Sequence, residues 1–215
     1  MNDQEAPTIQ ERDRFYYNNA LSYMSEHFRT SEQRLFTFII TMAGHQPYDS
    51  PYMPECKAHS SSPDLDLEVN EWLRRVAMAN EDYVYLKEEI SKRFPEEPFL
   101  FVHYGDHQPI VTRSYVALDG QKSDSRADAS AYTTYFATEG IHYILPELPE
   151  LDNLDVAYLG LMIMKAAGVP LTDVYRGREH LMHLCNGRYY DCPLRNEILD
   201  FHRRLIDSGM VTIPG

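Results

Sequence analysis

A strand–helix–strand pattern constrains this chain more than any other feature of its sequence. The near-continuous run of apolar, β-branched and aromatic residues at 35–42 is typical of a strand that is buried on both faces. A long helix is predicted over Leu67–Arg93, and a second apolar strand over residues 98–104. Because such crossover units are parallel and right-handed in nearly all proteins, the pattern predicts an α/β fold with parallel strands.

Helical periodicity accounts for much of the remaining chain. In the long helix the apolar residues recur about every 3.6 positions, and this stripe consists of Val69, Trp72, Leu73, Val76, Tyr83, Leu86 and Ile90. Shorter helices are predicted over residues 13–28, 154–167, 177–184 and 194–206, and one or two strands within residues 132–145.

The composition indicates a globular protein and argues against two other classes. The 215 residues are 43% hydrophobic and 25% charged, which suffices for a core. The formal net charge of −13 argues against a non-specific nucleic-acid surface, which needs clustered Lys and Arg. No segment approaches the roughly 20 apolar residues that span a bilayer, so we expect a soluble chain without a signal peptide or membrane span.

The most specific candidate for chemistry is the turn formed by Gly105, Asp106 and His107, directly after the second predicted strand. An adjacent carboxylate and imidazole can bind one metal ion, and the glycine allows the chain to turn tightly. This mixed oxygen and nitrogen ligand set suits Zn²⁺ or Mn²⁺, and Mg²⁺ or Ca²⁺ less well. The alternative is that Asp106 only caps the turn and His107 is an ordinary loop histidine.

His45 is the second candidate, because it closely follows the first predicted strand. The carboxyl ends of parallel strands meet at one edge of a sheet, so we expect His45 to lie near Asp106 and His107. Taken alone, a histidine at this place is more often a loop residue than a ligand. The sequence contains neither a P-loop nor a Gly-x-Ser-x-Gly motif, and no residue is identified as a nucleophile.

Two of the three cysteines are close in sequence. Cys185 and Cys192 can pair across the turn of Asn186 and Gly187, and two separate thiols are an equal alternative.

Three segments resemble, in this order, parts of sulfatase-family catalytic domains of the alkaline phosphatase superfamily. They are the apolar run with the Gly-His-Gln-Pro-Tyr turn at 44–48, the Gly-Asp-His motif at 105–107, and the Ala-Gly-Val-Pro segment at 167–170. The similarity covers roughly residues 34–176. It is greatest to the branch of lipoteichoic acid synthases and of phosphoethanolamine and phosphoglycerol transferases.

This resemblance implies an alkaline-phosphatase-like α/β sandwich with a mixed, largely parallel central sheet flanked by helices. Residues 1–33 would be a lead-in and helix, and residues 34–215 the C-terminal part of the catalytic domain. Asp106 and His107 would be ligands of a divalent metal, and His45 would contact the transferred phosphate or sulfate group. The implied activity is that of a metal-dependent hydrolase or transferase of phosphate or sulfate esters, with phosphodiester head groups of lipids or glycans as substrates.

The resemblance also implies that half of the active site lies elsewhere. The family's nucleophile belongs to segments upstream of the matching region, so we expect this chain to be an inactive C-terminal fragment whose partner is the missing N-terminal half. Its parent would be an inner-membrane-anchored enzyme with a periplasmic catalytic domain, where a Cys185–Cys192 disulfide would be favoured. Uncovered apolar surface would favour a homodimer. The alternative is a non-catalytic sulfatase-like module that binds glycan or lipid head groups.

Overall fold

The computed structural model describes residues 11–56, 62–112, 133–151 and 153–212. These residues fall into two compact units, one within Met1–Glu97 and Tyr104–Phe136, and the other within Pro98–His103 and Ala137–Gly215. The elements are, in chain order, helix α1 (Asp13–Thr30), helix α2 (Leu67–Arg93), strand β1 (Phe99–Tyr104), a 3₁₀ turn (Ile110–Thr112), strand β2 (Phe136–Ile141), a second 3₁₀ turn (Val156–Tyr158), and helices α3 (Leu159–Ala166), α4 (Asp173–Leu184) and α5 (Arg195–Asp207).

The predicted α/β sandwich with a mixed, largely parallel central sheet is wrong for the described residues. They are mostly helical, and their sheet consists of β1 and β2 in antiparallel pairing. Residues 35–42 lie outside any strand. Phe36, Phe38 and Ile40 are 78%, 62% and 62% exposed. The prediction inferred a buried strand from an apolar run, but such burial requires neighbouring strands and covering helices, which the described residues do not supply.

The helices predicted from periodicity are confirmed. α2 has the predicted bounds, and α1 ends at Thr30, slightly beyond the predicted end. α4 begins earlier than predicted, after Thr172, whose hydroxyl accepts a hydrogen bond from the backbone N–H of Tyr175. α3 ends before Gly168, whose φ of 61° suits the left-handed residue that commonly follows a helix.

α1 packs against α2 in the first unit. The rings of Phe28 and Phe94, near the C-terminal ends of these helices, meet edge to face with centroids 5.2 Å apart. The buried apolar side chains of the pair are Tyr17, Leu21 and Met24 from α1, and Val69, Met78, Leu86 and Ile90 from α2.

The most buried line along α2 contains charged residues. Glu71, Arg75 and Asp82 are 8%, 5% and 0% exposed, and they recur with Met78 at intervals of three and four residues. Part of the predicted apolar stripe is instead only half-buried, including Trp72. A helix therefore turns three ionic side chains toward the interior, where each needs a hydrogen-bonding partner.

Asp82 obtains its partners from the residues at the start of α1. Its two carboxylate oxygens accept hydrogen bonds from Nε of Arg12 at 2.7 Å and from Nε of Arg14 at 2.9 Å. The backbone N–H of Arg14 also donates to it, at 3.1 Å. These bonds fix the beginning of α1 against the middle of α2.

Asp13 is a second buried carboxyl group, only 2% exposed. The backbone N–H of Ala43 donates to its Oδ1 at 3.3 Å, and Thr41 adds a side-chain hydrogen bond. Burial raises the pKa of Asp13 to about 6, and the charge of Asp82 adds to the rise, although the hydrogen bond from Ala43 opposes it.

The second unit has its own core around a disulfide. Cys185 and Cys192 are bonded, which decides between the alternatives that the sequence leaves open. A Cβ on Gly177 would lie 2.6 Å from the ring of Phe201, so the absence of a side chain permits the close approach of α4 and α5. The other buried members of this core are Tyr158, Leu161, Met162, Leu181, Met182 and Ile198.

None of the helices in the described ranges is both long enough and apolar enough to cross a membrane.

Asp13→Asn should flatten part of the pH dependence of stability. Because the folded-state pKa is raised to about 6 from 3.8, Asp13 stabilises the fold at low pH and loses this contribution as pH rises through about 6. Asparagine keeps an oxygen for the N–H of Ala43 but has no proton to lose. The free energy of unfolding of the variant, relative to that of the wild type, should therefore rise by about 1 kcal/mol between pH 5 and pH 7. Urea unfolding of both proteins at pH 5 and at pH 7 measures this gain. If the free energies of unfolding of variant and wild type differ by the same amount at the two pH values, the raised pKa of Asp13 is contradicted.

Candidate functional site

His45 lies in a tight turn that follows the apolar residues 35–42. Its backbone N–H donates to the carbonyl of Met42 at 3.0 Å. The hydroxyl of the buried Tyr48 donates to the carbonyl of Gly44 at 2.6 Å. Both bonds close the turn on itself, and they leave the His45 side chain exposed.

Arg75 of α2 holds this turn from beneath. Its guanidinium donates from Nη1 to the carbonyl of His45 at 2.7 Å, and from Nη2 to the carbonyls of Pro47 at 2.8 Å and Ser50 at 3.3 Å. A planar guanidinium presents several N–H donors in fixed directions, which makes arginine suited to binding three carbonyls of one loop. The backbone around His45 is therefore fixed by a buried side chain on a neighbouring helix.

Glu71 carries the opposite charge to Arg75, and it also binds the loop at Tyr52. Its Oε1 lies 2.7 Å from Nε of Arg75 and accepts the backbone N–H of Tyr52 at 2.8 Å. Nε of Arg74 donates to the other oxygen at 2.8 Å. Burial alone would raise the pKa of Glu71, but the hydrogen bonds from Arg74 and Arg75 outweigh it and lower that pKa.

Two aromatic rings complete the surroundings of the buried guanidinium. The Cζ atom of Arg75 lies 5.0 Å from the ring centroid of Tyr48 and 5.1 Å from that of Tyr52. Both distances are within the range of cation–π attraction.

The imidazole of His45 is oriented by its own backbone. Nδ1 lies 2.7 Å from the carbonyl oxygen of Gln46. Because a carbonyl oxygen only accepts, Nδ1 carries the hydrogen, and in the neutral ring Nε2 keeps a free lone pair. Ligating histidines commonly have this arrangement, with the other ring nitrogen donating to a backbone carbonyl.

The second candidate turn is held against residues 133–135 in the first unit. The N–H of Gly105 donates to the carbonyl of Tyr135 at 3.2 Å, and Nε2 of Gln108 donates to the carbonyl of Thr133 at 2.7 Å. A Cβ on Gly105 would lie 2.4 Å from Oγ1 of Thr134. A larger residue here would have to displace the exposed Thr134 side chain, whereas glycine passes it without any shift.

Asp106 and His107 interact with each other across this turn. Oδ1 of Asp106 accepts the backbone N–H of His107 at 2.9 Å, which is the capping role that the sequence offers as an alternative. Its other oxygen lies 3.5 Å from Nε2 of His107. Nδ1 of His107 lies 3.2 Å from the carbonyl of Gln108, so this ring has the same orientation relative to its backbone as His45. The Asp106 and His107 side chains are 82% and 64% exposed.

The structure brings Asp106 and His107 together, and it records no bond from His45 to either of them. In the described ranges, no three His, Cys, Asp or Glu side chains are grouped closely enough to hold a metal ion. The expected convergence of all three residues at the edge of a parallel sheet loses its basis, because the described sheet contains no such pair of strands.

The residues that hold the His45 turn are missed by the sequence analysis. Glu71 and Arg75 are four residues apart on α2, and Asp82 continues the same line. Charged residues at inward positions of an amphipathic helix are the signal that could have identified them, because such positions are normally apolar.

Comparison with known proteins gives one distant relative. Over 170 residues the chain is 24% identical to an uncharacterized protein of Haemophilus influenzae (strain ATCC 51907 / DSM 11121 / KW20 / Rd). The match covers 74% of this chain and 28% of that protein, so the chain corresponds to about a quarter of the relative's length. No protein-family model matches the chain, and no solved structure matches it.

Arg75→Met should destabilise the first unit and release the His45 turn. Removing one member of a buried ion pair leaves Glu71 with Arg74 as its remaining charged partner and three carbonyls without their donor, at a cost of about 3 kcal/mol. Urea unfolding measures the loss, and faster amide exchange of Tyr48 and Tyr52 locates it.

Arg93→Met is the matched control for this substitution. Arg93 also pairs with a glutamate four residues earlier on α2, but its side chain is 38% exposed. Its loss should cost no more than about 0.5 kcal/mol. Equal losses in the two variants would contradict the role of Arg75.

Proposed function

We propose that this chain is the C-terminal part of a sulfatase-like, metal-dependent hydrolase or transferase of phosphate or sulfate esters, and that phosphodiester head groups are its substrates. The observation that carries the proposal is the pairing of the Asp106 carboxylate with Nε2 of His107 at 3.5 Å, directly after the point where Gly105 passes the Thr134 side chain. The order of the sulfatase-like segments along the sequence supports it.

The separation of these two atoms fits two ligands of one metal ion. Zinc ligands lie about 2.1 Å from the metal, and two such ligands at a tetrahedral angle are about 3.4 Å apart. Donation from Nδ1 of His107 to the Gln108 carbonyl leaves Nε2 as the ligand atom. The pair therefore suits Zn²⁺ or Mn²⁺, with Mg²⁺ or Ca²⁺ as weaker candidates.

Two protein donors do not complete such a site. Catalytic zinc sites have three protein ligands and an open position for water or substrate. The exposure of Asp106 and His107 leaves their outer side accessible to further ligands. We propose that these come from the missing N-terminal half, from water and from the ester itself.

The proposed reaction divides the work between the two halves. A hydroxyl nucleophile from the missing half attacks phosphorus or sulfur, the ester oxygen leaves with its bonding electrons and takes up a proton, and water or an alcohol later displaces the enzyme's oxygen. A divalent ion held by Asp106 and His107 would act as a Lewis acid on the transferred group. The chain's own residues hold and orient the groups that receive the developing charge.

His45 is proposed to contact the oxygens of the transferred group. Because Nδ1 is engaged with the Gln46 carbonyl, Nε2 is the ring nitrogen that remains for binding. As an imidazolium the ring donates from Nε2 to an anionic oxygen while Nδ1 still donates to Gln46, and the turn fixed by Arg75 holds the ring in place.

The proposed parent is an inner-membrane-anchored enzyme whose catalytic domain lies in the periplasm. The Cys185–Cys192 disulfide supports an oxidising compartment of this kind.

The alternative is a non-catalytic sulfatase-like module that binds glycan or lipid head groups. The high exposure of Asp106 and His107 favours it, because catalytic ligands are usually enclosed.

Metal binding is the first test of the proposal. The chain should bind Zn²⁺ or Mn²⁺ with micromolar affinity in calorimetric titration, and Asp106→Ala combined with His107→Ala should abolish this binding. The matched control is His180→Ala combined with His183→Ala, which removes two exposed histidines of α4. If the control loses as much binding as the test variant, the metal is held by surface histidines and the site is refuted.

Activity in a longer protein separates the enzyme from the binding module. The protein made from an extended reading frame should hydrolyse bis(4-nitrophenyl) phosphate, and Asp106→Ala should lower the rate at least about 100-fold because a metal ligand is lost. A longer protein that binds metal but hydrolyses neither phosphate nor sulfate esters would support the module instead.

A further inference from the structure

The His45 turn is held by two buried side chains of opposite charge. Arg75 donates to the carbonyl of His45 and to two carbonyls that follow it in the loop. Asp13, at the start of α1, accepts the backbone N–H of Ala43 at 3.3 Å, two residues before His45. Both side chains and Ala43 are buried. The carboxyl group therefore holds the chain where it enters the turn, and the guanidinium holds it within the turn and after it.

Of these two charges, that of Asp13 changes near neutral pH. Arginine is not deprotonated in proteins, so Arg75 stays charged. Burial raises the pKa of Asp13 to about 6, and the charge of Asp82 adds to the rise. The hydrogen bonds from Ala43 and Thr41 act in the opposite direction, because they favour the ionised carboxylate.

The bond from Ala43 and the ionisation of Asp13 strengthen each other. A hydrogen bond that lowers the pKa of a carboxyl group is, by thermodynamic linkage, itself strengthened when that group ionises. The physical reason is that an N–H group binds a carboxylate more strongly than it binds a neutral oxygen. Loss of the proton from Asp13 should therefore tighten the turn locally, although the buried charge lowers the stability of the whole fold.

Other ionisable side chains of the described residues interact with the Asp13 carboxyl group. They are Arg12, which precedes it in the chain, Tyr17 of α1, Tyr52 of the loop and Asp82 of α2. Asp82 forms ion pairs with Arg12 and Arg14. Burial raises the pKa of both phenols, that of Tyr52 to about 12, so both stay neutral between pH 5 and pH 8.

We propose that Asp13 is a positioning residue for His45, and that it holds the His45 turn closed when ionised and less tightly when protonated. The Ala43 N–H carries this change to the turn that bears the imidazole. The use of this coupling in ester binding rests on the proposed function. The coupling itself concerns only the turn, and it would stand if His45 bound no ester.

Amide hydrogen exchange measured by NMR in the 215-residue chain tests the coupling. The protection of the Ala43 and His45 amides, relative to the unstructured rate at each pH, should rise about fivefold from pH 5 to pH 7.5, because the bond to a carboxylate is the stronger one. The amides of Met78 and Ile90 in α2 report unfolding of the whole unit. A change that they share is therefore subtracted.

Asp13→Asn separates the charge from the hydrogen bond. Asparagine offers a neutral oxygen to Ala43 at every pH, so the protection of the Ala43 amide should stay near the pH 5 value of the wild type. Asp49→Asn is the matched control, because it makes the same chemical change at an exposed position of the same loop. This control should keep the fivefold rise.

The wild type supplies a second measurement that decides the matter even if Asp13→Asn does not fold. The ¹³C shift of the Asp13 carboxyl group and the ¹H shift of the Ala43 amide should titrate with one midpoint near pH 6. An amide shift that does not follow the carboxyl group would overturn the proposal.

Two results of the exchange experiment would also overturn it. Equal protection of Ala43 in the wild type at pH 5 and pH 7.5 would show that the turn does not respond to Asp13. The same fivefold rise in Asp13→Asn would assign the response to another group. Failure of the proposed function is seen separately, in the metal titration of the Asp106 and His107 variant, which leaves this experiment unaffected.

Discussion

The buried ion pair of Glu71 and Arg75 is the interaction on which the His45 turn depends. It positions the Arg75 guanidinium to donate to three carbonyls of the loop at 45–50. A buried side chain of α2 therefore determines the geometry of an exposed turn. Buried ion pairs often add little net stability, but they specify one arrangement because each charge requires its partner. Here that arrangement orients His45, whose ring is then fixed by the carbonyl of Gln46. The Asp106–His107 turn is held differently, by the backbone hydrogen bond from Gly105 to Tyr135 and by the bond from Gln108 to Thr133.

Local sequence patterns predict the helices and the strand at 98–104 well, and they predict the composition and pairing of the sheet poorly. The bounds of α2 follow from apolar periodicity and a terminating proline, which are properties of the segment itself. The apolar run at 35–42 predicts a strand buried on both faces, and residues 35–42 lie outside any strand, because strand pairing depends on what lies beside the segment. Its outer face remains exposed, and the α/β sandwich inferred from it fails. The amino-acid pattern of a segment determines its local conformation more strongly than it determines which other segments pair or pack with it.

The candidate residues illustrate the same limit within the site. The contact between Asp106 and His107 is predictable, because adjacent residues on a glycine turn are necessarily close. The expectation that His45 lies near Asp106 and His107 depends on a parallel sheet. The described residues lack that sheet, so the expectation loses its basis. Glu71 and Arg75 are hard to predict as buried, because charged residues on a helix are usually exposed to solvent. Only their spacing along the inward side of α2 distinguishes them from exposed charges.

In the proposed site, two turns present the imidazoles of His45 and His107 with Nδ1 bound to a backbone carbonyl and Nε2 left to bind. Long-range ¹H–¹⁵N correlation NMR, at a pH where both rings are neutral, measures which ring nitrogen carries the proton. We expect the proton on Nδ1 in both neutral histidines, donated to the carbonyls of Gln46 and Gln108. A proton on Nε2 and none on Nδ1 in either ring would show that the carbonyl does not hold that ring, and would refute the proposed orientation.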